Sequence, residues 1–150
     1  MTTRLRDDEL RAWQALLHAH LDVTRRLDAE LRRAHGLSLT DYDILLRLAN
    51  GPKDGLRMSD VAARVMSPPS TVTRRLDGLV AAGLVARGAQ AADSRVVIAS
   101  ITPAGRARLR RAAVTHLRGV REQFTGRLTT EQLGAVADGL EVVIGPHDAH

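Results

Sequence analysis

Residues 58–103 read MSDVAARVMSPPSTVTRRLDGLVAAGLVARGAQAADSRVVIASITP, and this segment contains most of the information about the architecture. It holds two short segments with the apolar spacing of amphipathic helices, separated by a tight Ser-Pro-Pro turn. Two segments rich in β-branched and apolar residues follow, at 84–87 and 96–101, and the loop 88–95 joins them. The order predicts a helix-turn-helix followed directly by a two-stranded wing.

Residues that favour helix ends divide this segment. Ser59 is predicted to cap the first helix of the motif, and Ser67 to cap the second, with Pro68 at the first helical position, where a missing N–H costs nothing. Gly83 is expected to end the second helix, and Thr102 to cap the helix that follows the wing. Such a unit places one helix in a DNA major groove and the wing loop in the neighbouring minor groove.

Helices are predicted on both sides of the motif. Residues 5–35 form one long amphipathic pattern, which Gly36 ends, and a second helix follows over 37–50 with Thr40 and Asp43 as its capping pair. The apolar stripe of the first helix consists of Leu10, Trp13, Leu17, Leu21, Thr24, Leu27 and Leu31. A stripe this long exceeds what a small core covers, which favours packing against a second subunit.

The C-terminal third is predicted to form two more helices. The first begins at Pro103, and its apolar stripe consists of Leu109, Ala113, Leu117, Val120 and Phe124. The last is capped by Thr129 and Gln132 and buries Leu133, Val136, Leu140 and Val143, while the tail 145–150 is expected to be frayed. The fold class is therefore mainly α with a small β-wing. We expect one domain over 1–150, with a DNA-binding lobe at 37–103 and dimerisation helices at 5–35 and 103–144.

Composition narrows the function classes. The 150 residues carry a formal net charge of +5, which favours a polyanionic partner, and 44% are hydrophobic, enough to form a core. Aromatic residues make up only 2%, which argues against stacking platforms for single strands. No cysteine is present, so disulfides and thiolate metal sites are excluded. No apolar N-terminal core or membrane-length apolar run is found, so we expect a cytoplasmic protein with no membrane partner.

An ordered set of residues along the chain resembles the MarR family of winged-helix transcriptional regulators. Its parts are Leu39-Thr40 with Tyr42 and Leu45, the run Ser70-Thr71-Val72-Thr73-Arg74-Arg75-Leu76-Asp77, then Gly83-Leu84-Val85 with Arg87, Asp93 with Arg95, and Thr102 with Gly105. The resemblance extends over roughly residues 10–144. It implies a homodimer that binds a pseudo-palindromic DNA duplex, usually as a repressor released by a small ligand, and it implies no enzymatic activity.

The expected DNA contacts lie on the motif and the wing. They are Arg57, Ser59, Ser67, Pro69, Ser70, Thr71, Thr73, Arg74, Arg75, Arg87, Asp93, Ser94 and Arg95. Arg74 and Arg75 point about 100° apart on a helix, so one is expected to read guanine and the other to contact phosphate. Arg95 resembles the minor-groove arginine of the family, and Asp93 is expected to pair with it or with loop amides. Asp77 is predicted to pair with Arg74 along the helix.

The effector site leaves a weaker signal. Trp13, His20, His35 and Tyr42 are polar-edged rings that could line a pocket for an aromatic acid, although for Trp13 and Tyr42 the sequence favours ordinary core positions. No metal site and no cofactor are expected. His18 and His20 point to different helix faces, and the other suitably spaced pair, His147 with His150, lies in the tail.

Two other functions fit parts of the sequence. A protein that uses the winged helix for protein contacts would show no salt-dependent duplex binding. A non-specific DNA-compacting protein would bind duplexes with little sequence preference. The basic charge alone separates neither of them from a sequence-specific regulator.

Overall fold

The computed structural model describes residues 4–90 and 92–145. In chain order the elements are α1 (Asp7–His35), α2 (Leu39–Asn50), β1 (Leu56–Arg57), α3 (Met58–Arg64), α4 (Pro69–Ala81), β2 (Val85–Gln90), β3 (Asp93–Ile101), α5 (Pro103–Gln123), a 3-10 turn (Thr125–Arg127) and α6 (Thr130–Ile144). The mainly helical fold with a β-wing is confirmed. Ala91 of the predicted wing loop, and His147 and His150 of the tail, lie outside the described residues.

The chain divides into two compact units. The central unit is residues 27–116, and the terminal unit combines residues 1–26 with 117–150. The central unit contains the helix-turn-helix and the sheet. Its core brings together the buried faces of α2, α3, α4 and the strands, with Ile44, Leu45, Val61, Val72 and Leu76 among its most buried side chains.

The sheet has three antiparallel strands in the order β1-β3-β2. β1 was missed by the sequence analysis, because two residues are too few to show alternation; Leu56 pairs with Ala99, and Arg57 with Ile98. β2 and β3 extend past the predicted strands, so residues 88–90 and 93–95 of the expected loop lie in strands. The wing is largely exposed, and its Gly, Ala and Gln residues carry no burial pattern that would mark a strand.

Thr102 joins the end of α4 to the start of α5. Its hydroxyl donates to the Gly83 carbonyl at 2.7 Å and accepts from the Gly105 amide at 3.0 Å, which confirms the predicted cap. Gly83 adopts φ +73° and ends α4 as expected. A Cβ on Gly105 would collide with the Leu84 carbonyl oxygen, so only glycine permits this approach of α5 to β2.

Three predicted helix caps were wrong. Ser38 caps α2 in a reciprocal capping box with Asp41, two residues before the predicted pair. Ser59 lies inside α3, whose N-cap residue Arg57 makes no capping hydrogen bond through its side chain. Pro68 is the N-cap of α4 and Pro69 its first residue, so Ser67 does not cap this helix. The second capping box, Thr129 with Gln132, is confirmed.

The predicted stripe of α5 was shifted by about one residue. Ala112, Thr115 and Gly119 are buried, whereas Leu117 is 64% exposed. Leu109 is buried as predicted, but beyond it the predicted positions 113 and 117 give way to the smaller residues Ala112, Thr115 and Gly119. Small residues on a buried helix face permit close packing and leave little apolar signal in the sequence.

Apolar side chains remain exposed along the terminal unit. The leucines and the tryptophan of the α1 stripe in this unit are 42% to 60% exposed, namely Leu10, Trp13, Leu17 and Leu21. In α6, Val142 and Val143 are more exposed than these, and Ile144 is exposed to a similar extent. Within the central unit, the same α1 stripe continues as the buried Leu27 and Leu31. Among the described residues, no helix combines the length and apolarity that crossing a bilayer requires.

Candidate nucleic-acid interface

Helix α4 has one buried face and one open face. Val72, Leu76 and Leu79 are buried at helical spacing against the core. The predicted contact residues Pro69, Ser70, Thr73 and Arg74 are exposed, and Thr71 and Arg75 lie half-buried on the flank. The Thr73 hydroxyl donates to the Pro69 carbonyl at 3.1 Å, which leaves its oxygen and methyl group toward solvent. The open face therefore presents hydroxyls and the exposed guanidinium of Arg74.

The two adjacent arginines of α4 occupy different environments. Arg75 is 30% exposed at its side chain, and its Nη1 lies 3.9 Å from Oδ2 of Asp41, a buried carboxylate on α2. Arg74 is exposed and has no ion pair within residues 4–90 and 92–145. Arg75 is thus partly occupied by the protein itself, and Arg74 is available for a ligand. The sequence left open which of the two has which role.

The start of α4 carries unpaired backbone donors. Pro68 and Pro69 occupy the N-cap and first position, and no side chain caps the helix. The amides of Ser70 and Thr71 are therefore free of a cap, and the helix dipole adds partial positive charge at the same end. This end of α4 is suited to a phosphate group.

The turn between α3 and α4 is fastened to α2. Oγ of Ser67 lies 3.0 Å from Oγ1 of Thr40, and the Met66 amide donates to Oδ2 of Asp43 at 3.2 Å. Ser67 was predicted as a helix cap and DNA contact, but its hydroxyl is hydrogen-bonded to that of Thr40. These bonds set the angle at which α4 leaves the turn.

Arg57 and Ser59 lie at the start of α3, where the sequence analysis placed phosphate contacts. Both are exposed. Nη2 of Arg57 donates to Oε1 of Gln90 at 3.4 Å, which links this region to the end of β2. Because that acceptor is neutral and the bond is long, the guanidinium charge remains available to an anion.

The end of the wing holds an Asp–Arg pair. Oδ1 of Asp93 accepts from the backbone N of Arg95 at 3.0 Å and from its Nε at 3.3 Å, as the spacing predicted. The Arg95 side chain is nevertheless 89% exposed, and Ser94 is exposed beside it. Asp93 therefore orients an arginine whose terminal nitrogens remain open to solvent.

Asp77 pairs with a residue other than the one predicted. Its carboxylate forms an ion pair with Arg87 on β2, and not with Arg74. The chain reverses at Gly83, so β2 returns alongside α4 and brings Arg87 to the exposed side of the helix. Arg87, predicted as a phosphate contact at the wing base, thus also connects the wing to α4.

The predicted effector residues divide between the two compact units. Trp13 and His20 are exposed on the part of α1 that belongs to the terminal unit. In the central unit, Nε2 of His35 lies 2.8 Å from Oγ1 of Thr115, and Tyr42 is buried. Tyr42 thus has the environment of a core residue, which is the alternative to a ligand-binding role that the sequence left open.

His116 was missed by the sequence analysis. Its ring stacks on Tyr42 with centroids 4.4 Å apart and planes 30° from parallel, and its Nδ1 is buried without a hydrogen-bond partner within the described residues. Burial lowers the pKa of His116, and the nearby Asp43 carboxylate offsets part of that effect. The corrected α5 register, with Leu109 and Ala112 inward, is the signal that would have placed it in the core.

No arrangement typical of a metal centre is found. In residues 4–90 and 92–145, no three His, Asp or Glu side chains cluster as a metal site requires. The open side of the central unit carries hydroxyls, backbone amides and guanidinium groups, together with the carboxylates of Asp77 and Asp93, each of which is ion-paired with an arginine. Their chemistry suits polyanion binding.

Comparison with known proteins identifies similar chains. A family profile described as the MarR family matches residues 35–96, which include α2, the helix-turn-helix and most of the wing. No curated protein matches the chain significantly.

Solved structures match over nearly the full length. AbsC, a MarR family transcriptional regulator from Streptomyces coelicolor, is 31% identical with a TM-score of 0.86, covering 95% of this chain and 96% of its own. Sco3205 from the same organism, solved in complex with DNA, is 28% identical with a TM-score of 0.88, covering 96% and 90%. CouR from Rhodococcus jostii RHA1, bound to p-coumaroyl-CoA, shares the fold at 20% identity and a TM-score of 0.73, covering 99% and 100%.

Proposed function

Because the chain belongs to the MarR family of transcriptional regulators, we propose that it is a homodimeric repressor. It binds a pseudo-palindromic duplex, and a small effector releases it. The observation that carries the proposal is the open face of α4: exposed Ser70, Thr73 and Arg74 beside an uncapped helix start. The 28%-identical Sco3205, solved with DNA, supports the same use of this fold here. Chromosomal DNA as partner implies a cytoplasmic location.

The proposal gives each part of the interface a separate role. Arg74 reads a base edge in the major groove, because it is exposed and makes no ion pair with any described residue. Arg75 supports α4 through Asp41 and contacts the duplex only peripherally. The free amides at the helix start bind phosphate and fix the position of the helix on the duplex. Arg95 inserts from the wing into the minor groove, where narrow A·T-rich sequence concentrates negative potential.

A second subunit would cover the exposed apolar residues of the terminal unit. Exposed leucines on α1 and the Val-Val-Ile end of α6 form more apolar surface than scattered exposed residues usually do. We assign dimerisation to 5–35 and 103–144, DNA binding to 37–103, and treat 1–150 as one functional domain. Two copies of α4 would then enter successive major grooves, about one helical turn of DNA apart.

Effector release follows the family pattern. CouR was solved with p-coumaroyl-CoA, and its fold is that of this chain. In such a mechanism, the ligand binds more tightly to a dimer whose α4 helices are wrongly spaced for DNA than to the DNA-binding form. The loss of DNA affinity is limited by the difference between the ligand's binding free energies for these two forms.

The experiment is fluorescence anisotropy with two duplexes at two salt concentrations. One duplex is the DNA just upstream of the coding sequence, and the other is a random sequence of equal length. The proposal predicts tight binding to the upstream duplex, one dimer per site, weakened strongly by salt. Equal affinity for both duplexes would indicate a compacting protein instead, and absence of binding to either would favour a protein-contact role.

A further inference from the structure

The turn between α3 and α4 exposes one large apolar side chain. Met66 is 86% exposed, the highest fraction among the exposed large apolar residues of the described chain. Within the described part of 37–103, Val97 is the other exposed large apolar residue, and it is only 39% exposed. Single exposed apolar residues are common on protein surfaces, so the significance of Met66 depends on its surroundings.

The backbone around Met66 is held in place on both sides. The Met66 amide donates to Oδ2 of Asp43 at 3.2 Å, and the Ser67 amide donates to the Val65 carbonyl at 2.8 Å. The Ser67 hydroxyl is hydrogen-bonded to that of Thr40. A side chain on a fixed turn loses less backbone freedom on binding than one on a mobile loop. Met66 is therefore presented from a rigid backbone, and its flexible thioether can adapt to the surface that it meets.

The groups on either side of Met66 favour a polyanionic partner. Arg64, two residues earlier, is exposed and makes no ion pair with any described residue. Two residues after Met66, α4 begins without a side-chain cap, so its first amides are open. The Asp43 carboxylate beside the turn is already paired with Arg47, at 3.3 Å. An unpaired arginine and free helix amides both suit phosphate, so the apolar side chain between them is placed to meet a duplex.

A duplex offers few apolar groups to such a side chain. In the major groove, the 5-methyl group of thymine is the one that apolar side chains contact, and cytosine has a hydrogen at the same position. The methionine thioether is long and polarisable, which suits it to packing against a methyl group. Burial of one methyl group corresponds to about a fourfold change in affinity. Met66 therefore has the chemistry to favour thymine.

We propose that Met66 is a base-reading residue that contacts the 5-methyl group of a thymine at the edge of the major-groove site of α4, and that Arg64 binds the adjacent phosphate. Recognition then extends beyond the contacts predicted on α4 and the wing, because neither residue is among them. The inference rests on the proposed function, to which it adds a determinant of specificity. Duplex binding by the native protein tests the proposed function, and the methyl dependence of Met66 variants tests the inference, so the two failures are distinguishable.

The test is fluorescence anisotropy of the full-length protein with two forms of the upstream duplex. One form is natural, and in the other deoxyuridine, which lacks the 5-methyl group and still pairs with adenine, replaces every thymine. The variants are Met66→Ala, the polar Met66→Gln of similar length, and Met66→Leu, the control that keeps the apolar character. Arg64→Gln is titrated over a salt series beside the matched control Arg106→Gln, an exposed arginine of α5. Circular dichroism and thermal melting establish that every variant is folded.

We expect Met66→Ala and Met66→Gln to bind the natural duplex about tenfold more weakly than the native protein, because each subunit of the dimer loses a methyl contact. On the deoxyuridine duplex, the same variants should bind within about threefold of the native protein, since the methyl groups are already absent. Met66→Leu should keep most of the preference for the natural duplex. Arg64→Gln should reduce the slope of log K against log salt by about 0.9 for each lost phosphate contact, and Arg106→Gln should not.

The outcomes separate the two proposals. Equal losses of Met66→Ala on both duplexes, or no loss on either, would overturn thymine reading by this residue. An unchanged salt slope for Arg64→Gln would overturn the phosphate contact. Absence of native binding to both duplexes would overturn the proposed function and this inference with it.

Discussion

Asp77 on α4 is ion-paired with Arg87 on β2, so one surface contact connects the second helix of the helix-turn-helix to the base of the wing. Both side chains are substantially exposed, and surface pairs of this kind contribute at most about 1 kcal/mol to folding. The importance of the pair lies in charge placement. It places a carboxylate on the open face of α4 and pairs it with Arg87, an arginine that we propose can contact phosphate when it is unpaired.

Asp77→Asn is therefore expected to strengthen non-specific DNA binding. The substitution removes a negative charge beside the duplex and releases Arg87 to a phosphate, so the slope of log K against log salt should steepen by about 0.9 per added contact. The measurement is anisotropy on the random duplex over a salt series, with Asp54→Asn as the control, an exposed loop aspartate. An unchanged slope would show that Arg87 does not reach phosphate when freed.

Arg95→Ala is expected to weaken duplex binding without altering the fold. The side chain is 89% exposed and contributes little packing, whereas its guanidinium supplies the proposed minor-groove contact. We expect about a tenfold loss of affinity, equivalent to about 1.4 kcal/mol. Anisotropy and thermal melting should be compared with Arg106→Ala, an exposed arginine on α5. Equal affinity of Arg95→Ala and the native protein would remove the wing from the mechanism.

The Thr40–Ser67 contact should stabilise the helix-turn-helix. A hydrogen bond between two part-buried hydroxyls contributes about 0.5–1.5 kcal/mol, and its loss would loosen the turn before α4. A double-mutant cycle with Thr40→Val and Ser67→Ala isolates the pair in urea unfolding at fixed protein concentration. Additive effects of the two substitutions would mean that the contact does not contribute to stability.

His116 should make stability depend on mildly acidic pH. Burial against Tyr42 lowers its pKa below the ordinary 6.5, despite the nearby Asp43. The folded chain then binds fewer protons than the unfolded chain, so stability is full above about pH 6.5 and is lost as the pH falls through the lowered folded pKa. Urea unfolding at several pH values should show a smaller acid loss for His116→Gln than for the native protein. If the unfolding free energies of His116→Gln and the native protein change in parallel with pH, groups other than His116 cause the acid sensitivity.

The sequence was most informative where periodicity was strong. Six helices and the glycine that ends α4 were predicted from spacing, because buried apolar positions and special backbone angles leave clear marks. The contacts of Asp93 with Arg95 were predicted from charge. β1 was too short to show a pattern, and beyond Leu109 the buried positions of α5 are the small residues Ala112, Thr115 and Gly119. Ser67 and Asp77 were given local partners, but their actual partners, Thr40 and Arg87, come from other elements. Local spacing carries no information about such tertiary contacts.

The division of roles between Arg74 and Arg75 is open to direct measurement. Arg74→Gln, Arg75→Gln and the control Arg110→Gln, an exposed α5 arginine, should be titrated against the upstream and random duplexes. If the open face of α4 reads DNA, Arg74→Gln loses the preference for the upstream duplex by about 1–3 kcal/mol. Arg75→Gln should retain that preference and mainly lower folding stability. Full preference retained by Arg74→Gln, or lost only in Arg75→Gln, would contradict recognition through this face.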